Sequence, residues 1–592
     1  FKQTSLLINQ SEYVLNGAIN TKNQTFIQLD ITSASSKIAN LTSLLPKKYA
    51  DQISQYQNDG EVYFNGSIVG AVSATQNPAI NFKFGFKNTT ITNPDGGQQI
   101  KNATLIGSFS NGKMHNANTS SFTISQFKGT LNSNPIEASI TLSNFNDPYL
   151  KVSAKLEQNI KDVFQFASYK HVDSLEGNMK LSFEFEGKTN HLKRKEDLEK
   201  IKVNGEFQID HGRIYSKLLD KTFNNLSADI IFNHSDVSIN HLSFNTKQSD
   251  IKIEGFMKNF LRKLILDKGS VLIDGSLVSN RLNYSDFMLP ASEDKKDEKS
   301  NVVLMLQCNI KELNISDIKS RNVKGDLYFN DSLLTLNNAS LNFAGGKISG
   351  DVSMDIKLPH RSKHINLTTQ FNQMHTDSML YLLDNFSQDF ITHKNLSGRL
   401  SGKGNLFFII NPDGKILTES ILANLEFNME DGRLQNFAPL MKLSKFAEED
   451  QLKNIRFSKL TNQIMISNNV ITIPTMRILS NVCDIEIAGT HTLNNEFTYR
   501  LKVPLKNLSK RRQAEAASYN AIENPGLQSK TNIFLLIEGK GDQFEVKYDK
   551  QSVRKKIEQD LQREKEELKD AFQKEQKEKS HSQVNNEEFF DF

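Results

Sequence analysis

Tryptophan is absent from the 592 residues, cysteine occurs twice and proline only 12 times. Two thiols, Cys308 and Cys483, cannot staple a chain of this length, and their spacing matches no zinc ribbon. They read as small buried hydrophobes. With 12 Pro and 30 Gly, a collagen-like or Pro-rich chain is excluded. Lys plus Arg exceed Asp plus Glu by only 72 − 68 = 4, so the chain as a whole is neither a basic nucleic-acid binder nor an acidic protein. No apolar run reaches the ~18 residues of a spanning helix. The longest, residues 302–306 and 533–537, are strand-sized. Without Trp, a carbohydrate-stacking platform would rest on Tyr and Phe. The sequence opens on Phe1 and not on Met, so its start is expected to be missing, and a signal or anchor there would not be visible.

What is abundant is alternation with period two. Ile80, Phe82, Phe84 and Phe86 alternate with other residues, as do Met179, Leu181, Phe183 and Phe185, and Phe497, Tyr499, Leu501 and Val503. This predicts strands with one buried and one wet face. Asn-Pro-Asp-Gly at residues 93–96 and 411–414 reads as a tight turn. Helical spacing predicts short capping helices over residues 376–390 (Met379, Leu380, Leu383, Phe386), around Phe437, Leu440, Met441 and Lys445, and over 38–45 and 256–266. Residues 291–301 form a polar linker. Beyond residue 550 the chain turns charged and helix-prone, with Val553, Ile557, Leu561, Leu568 and Phe572 on one narrow stripe. Such a tail fits a solvated helix, a coiled-coil contact or a membrane-surface helix.

A nineteen-residue pattern occurs three times without gaps, at offsets 0, 4, 6, 11, 13, 16 and 18. The copies are Leu226, Ile230, Phe232, Val237, Ile239, Leu242, Phe244; Val323, Leu327, Phe329, Leu334, Leu336, Ala339, Leu341; and Leu460, Ile464, Ile466, Ile471, Ile473, Met476, Ile478. Each is followed by a glycine: Gly255, Gly350 or Gly489. Upstream, Phe207-x-Ile209-Asp-His-Gly212-Arg-Ile214 matches Phe427-x-Met429-Glu-Asp-Gly432-Arg-Leu434. Gly212 and Gly432 are expected to supply, at a turn, a backbone conformation closed to side chains. Each unit reads as a meander of hairpin-linked strands, and stacked units make a sheet with one apolar face.

Bond chemistry finds no support. His360 and His364 are four apart, but Pro359 places them in a loop without a partner ligand. Gly398, Gly402 and Gly404 lack the Lys-Ser/Thr of a phosphate loop, and no nucleophile elbow or metalloprotease helix is present. The copies share no acid beyond Asp210 and Glu430, which disfavours a β-solenoid carbohydrate enzyme. Lys510, Arg511 and Arg512 read as a solvated strand end. No catalytic residue, metal or cofactor is expected.

At the Gly212 and Gly432 elements, the meanders after them, the helix predicted at 437–446, the stretch SGRLSGKG (397–404) and Asn146-Asp147-Pro148-Tyr149, the chain resembles the AsmA-like family of Gram-negative envelope proteins. The resemblance covers residues 201–548 well and 1–200 more loosely. It implies a periplasmic β-rich body held by an N-terminal inner-membrane anchor. It also implies an architecture similar to bridge-like lipid-transfer proteins, whose taco-shaped groove holds acyl chains.

The expected fold is therefore mainly β, an elongated antiparallel repeat sheet, groove or open sandwich, with short capping helices and a charged C-terminal helix. The divisions are 1–200, an N-terminal β-rich region; 201–290, the first meander unit; 291–301, the linker; 302–400, the second unit; 401–549, the third; and 550–592, the tail. Ile230, Phe232, Val237, Ile239, Leu327, Phe329, Leu334, Leu336, Ile464, Ile466, Ile471 and Ile473 are the candidate lipid-facing residues. The expected partners are phospholipid, the inner membrane and an outer-membrane protein, with no nucleic acid. The alternative is an outer-membrane assembly factor in which the same face is closed core.

Overall fold

A computed structural model describes the chain except residues 9–10, 23, 37–56, 60–61, 94–96, 167–173, 194–196, 198–199, 217–219, 234–235, 261–262, 264–269, 288–300, 316–317, 356–361, 388–389, 412–414, 442–443, 445–448, 483, 505–531, 542, 550–561, 563–564 and 574–592. The protein is mainly β, as the alternation predicts. It divides into two compact units, the first built on Phe1–Val278 and the second on Leu304–Phe592.

In the first unit the strands run from Thr4–Ile8 to Val271–Asn283, mostly antiparallel to the sequence neighbour, as in Ser174–Lys188, Lys202–Ser216, Lys221–Asn233 and Asp236–Asn245; the exception is the short Gln57–Asp59, which pairs with Ala79–Thr92 while Thr25–Ser36 pairs with Val62–Val72. In the second they run from Val302–Ile315 to Gln543–Tyr548 in the same way. Both are open meanders, which need only hairpin connections. Phe84, Leu181 and Tyr499, from the three alternating runs, all fall within strands. Cross-strand ion pairs such as Lys151–Glu186 (3.4 Å) and Lys403–Glu426 (3.4 Å) lie on the polar face.

The five-residue step from offset 6 to 11 crosses the hairpin; within its strands the repeat contains one odd step, three residues between offsets 13 and 16, which would send half the strand to the wrong face. A β-bulge resolves it identically in every copy: the register shifts between Ile239 and Leu242, between Leu336 and Ala339, and between Ile473 and Met476. The glycines after each copy sit opposite, pairing as Ile239–Gly255, Ala339–Gly350 and Ile473–Gly489. An extra residue on one strand restores the alternation beyond it.

Gly212 and Gly432 act differently from expectation. Neither lies in a turn: they sit within strands Lys202–Ser216 and Ile416–Gln435. The left-handed backbone belongs to the residue before each, His211 (φ 53°) and Asp431 (φ 51°). The glycines are needed for close approach. A Cβ on Gly432 would lie 2.0 Å from the Phe457 ring, and one on Gly212 would lie 3.0 Å from the Leu226 side chain.

The helices also depart from expectation. The predicted helix over 376–390 stops at Leu382, and Asp384, Asn385 and Phe386 all take positive φ, leaving Phe386 exposed and off the helical face. Around Phe437 the helix is a single turn, Ala438–Met441, followed by Glu449–Leu452. The predicted helix at 256–266 begins too early, since Phe256 pairs with Asp274 in the strand Asp250–Lys258. The helix Ile160–Phe166 was not anticipated. The helix predicted at 38–45, most of both Asn-Pro-Asp-Gly turns, Lys445, Cys483, residues 510–512 and most of the charged tail lie outside the described residues. Among the described residues no helix is long and apolar enough to cross a membrane.

Candidate functional site

Directly opposed residues of antiparallel strands share a face. Following the pairs through the second unit traces an unbroken row: Leu306–Leu327, Leu327–Leu336, Leu336–Val352, Val352–Leu367, Leu367–Leu406, Leu406–Ala423, Ala423–Ile466, Ile466–Ile471 and Ile471–His491. Nine steps at roughly 4.8 Å make an apolar track about 43 Å long. A second row lies beside it, through Leu304–Phe329, Phe329–Leu334, Leu334–Met354, Met354–Ile365 and Ile365–Phe408. The eight candidates of the second and third copies all lie on this face, and all eight are half-buried.

Half-burial carries the physical content. In a closed sandwich both inner faces interdigitate and such side chains are fully covered. Here Leu327, Phe329, Leu334, Leu336, Ile464, Ile466, Ile471 and Ile473 keep accessible surface. The face is closed toward its borders, and within the rows Leu306, Ile365 and Ala423 are buried as well. Phe343, Met374, Leu400, Met429, Phe457 and Leu460 form a core with Met379 and Leu382 of the helix Thr376–Leu382 against it. Phe437, Leu440 and Leu452 pack with Phe497, Tyr499, Leu501, Val503, Leu535 and Ile537. On the reverse face Met465 and Thr472 are buried as well, so burial there is not confined to one side.

The first copy is different. Phe232, Val237 and Ile239 are 7%, 1% and 2% exposed, and only Ile230 is half-buried. Phe232 and Val237 sit in a core with Phe185, Leu192, Ile201 and Val203, and the Phe232 ring meets Phe183 at 5.5 Å and Phe260 at 6.0 Å. The covering residue Leu192 comes from the turn of helix Thr189–Lys193, and Phe260 follows the strand Asp250–Lys258. These three candidates are packed beneath protein; of the other nine, Ile230 and Ile473 pack half-buried against the edges of cores, and the remaining seven keep accessible surface away from them. Nothing in the repeat pattern distinguishes the copies, because the covering residues lie outside it.

Sequence reasoning missed the aromatic floor of the first unit. Rings follow one another from Tyr13 to Phe64 (6.0 Å), Phe82 (4.7 Å), Phe109 (6.1 Å) and Phe145 (6.2 Å). The signal was available in the 80–86 alternation, but which strands lie side by side was not.

Groups suited to bond chemistry are not gathered here. Burial, with the Asp326 charge second, pushes the Cys308 thiol up to about 11, so it is a poor nucleophile. Asp210 is exposed, while Glu430 accepts a hydrogen bond from Gln373 (3.3 Å). Among the described residues no group of three or more His, Cys, Asp or Glu is arranged to hold a metal ion; His364 lies exposed in the strand Lys363–His375 and not in the expected loop, and His360 lies outside the described residues. No family model, curated protein or solved structure matches the chain.

Proposed function

We propose that the protein handles lipid, shielding phospholipid acyl chains on the apolar face of the second unit while headgroups stay in water. The observation that carries this reading is the unbroken apolar row from Leu306 to Ile471, in which every member but Leu306 and Ala423 is half-buried and keeps accessible hydrocarbon, over a length suited to extended acyl chains. Each methylene placed there gains about 0.8 kcal/mol, so even partial shielding of two acyl chains offsets the cost of leaving a bilayer in large part. The mechanism is passive and needs no bond chemistry. The AsmA-like resemblance supplies the setting: a periplasmic body on an inner-membrane anchor, passing phospholipid toward the outer membrane and supporting its assembly.

The test is mass spectrometry of lipid extracted from gently purified protein, beside a Phe329→Asp, Leu334→Asp, Ile466→Asp variant. These positions are half-buried, so the variant should remain folded, which circular dichroism checks. Stoichiometric phospholipid in the parent and little in a folded variant supports the reading. A parent that stays lipid-free after incubation with liposomes sinks it, and the assembly-factor alternative takes its place.

A further inference from the structure

The apolar row ends at His491, and what happens there differs from the rest of the face. Beyond it the sheet is covered by a strap, residues 390–395, and by Phe437 and Leu440. The strap is fixed at one end, where Asn395 donates to the Gln435 carbonyl (3.2 Å) and the Gln435 N–H donates back to the Asn395 carbonyl (2.7 Å). At its other end Phe390 plugs an aromatic box, 4.2 Å from Phe497, 5.1 Å from Tyr499 and Phe437, and 5.9 Å from His491. His491 is buried in the floor of that box, paired in register with Ile471 on the accessible side and Phe497 on the covered side.

We infer that His491 is a latch: with its ring neutral it holds the strap closed over the C-terminal end of the apolar face, and its protonation releases the strap.

The argument is one of donors and acceptors. Nδ1 lies 3.2 Å from the Tyr499 hydroxyl and Nε2 lies 3.5 Å from Asn495 Oδ1. In the neutral ring Nδ1 accepts the Tyr499 O–H, and Nε2–H points to Asn495. Protonation turns Nδ1 into a donor, so the buried Tyr499 O–H loses its acceptor and has no other among the described residues. It also places a charge among Phe390, Phe497 and Tyr499, where burial already holds the imidazole below its usual value. Lifting Phe390 admits water and relieves both costs. The titratable group against the ring is the Tyr499 phenol, which burial holds far above its usual range and so keeps neutral. The acid of the adjoining turn, Glu496, is exposed and paired with Lys540 at 2.8 Å, and His393 on the strap meets Tyr381 edge-to-face and faces Asn385. Ile471 and Phe437 bring no charge.

Hydrogen exchange of the full chain, corrected for the intrinsic pH dependence of exchange, tests this without reference to lipid, so it can fail while the lipid reading stands. Between about pH 7.5 and pH 5, across the imidazole range, segments 390–395 and 437–441 of the parent lose protection several-fold. In His491→Phe they do not; His491→Gln serves if the larger ring prevents folding. Flat protection in the parent, or an equal loss in a folded variant, overturns the latch.

Discussion

The residues that decide this fold are the ones without a side chain and the ones that tolerate a left-handed backbone. Asparagine is abundant in the sequence, and the structure uses it: Asn225 and Asn322 take positive φ just before the first residue of two repeat copies, and Asn468, Asn469 and Asn495 do so in hairpin turns. Asn visits that region more readily than most residues because its short side chain bonds locally. Glycine does something else at Gly432, where the space is already filled by the Phe457 ring. Gly432→Ala is therefore expected to destabilise by about 2 kcal/mol or more, and adding Phe457→Leu should recover part of the loss, a non-additivity read by chemical denaturation. The sequence pointed to the right glycines but not to their role, because a spacing repeated within the chain does not distinguish a backbone need from a steric one. At His491 burial depresses the pKa below the usual 6.5. The unfolded chain then binds the proton first as pH falls, so the stability this neutral ring contributes is present above the usual value and lost as pH drops through the folded one. Denaturation midpoints should fall over that window in the parent and less in His491→Gln.

At the scale of the element, the bulge is the device that makes the repeat work. Deleting one of Asn240 or His241 removes the extra residue and leaves Ile239 and Leu242 two apart, so the ladder becomes regular and Leu242 and Phe244 stay on the apolar face. Deleting Ser238 instead puts Val237 and Ile239, both buried, on opposite faces and should cost at least about 3 kcal/mol, far more than deleting Asn240 or the exposed Lys247, and thermal unfolding of the three checks it. A second lock is Asp286, buried and accepting from the hydroxyls of Thr246 and Ser249, the latter at 2.7 Å. Asp286→Ala removes the carboxylate that accepts from both hydroxyls and should cost about 1.5–3 kcal/mol by the same measurement. The strands were legible in the sequence because period two is enforced by the pleat wherever one face is buried. Even the bulge was written there, as the odd step in the offsets. The helices were less legible, because their lengths are set by tertiary fit. The apolar spacing through Phe256 and Phe260 mimics a helix, yet Gly255 and Met257 are claimed by pairing with Gly275 and Ile273. The run after Leu382 breaks where Asn385 accepts hydrogen bonds from His393 instead of continuing the helix.

At the scale of the whole molecule the question is whether an accessible apolar face is a working surface. The repeat made the face legible, but it could not tell the packed first copy from the open second and third, since Leu192 and Phe260 that cover Phe232 belong to no pattern. The account's central claim is that acyl chains occupy the side of the second unit bearing Phe329, Leu334, Ile464 and Ile471. The most direct measurement is photo-crosslinking with a phosphatidylcholine carrying a photoreactive group on its acyl chain, followed by peptide mapping. The account predicts adducts on these residues and their register partners, few on Tyr328 and Thr335 of the reverse face, and fewer still at packed Phe232, Val237 and Ile239. Labelling spread evenly over both faces, or none above a soluble carbene control, would contradict it.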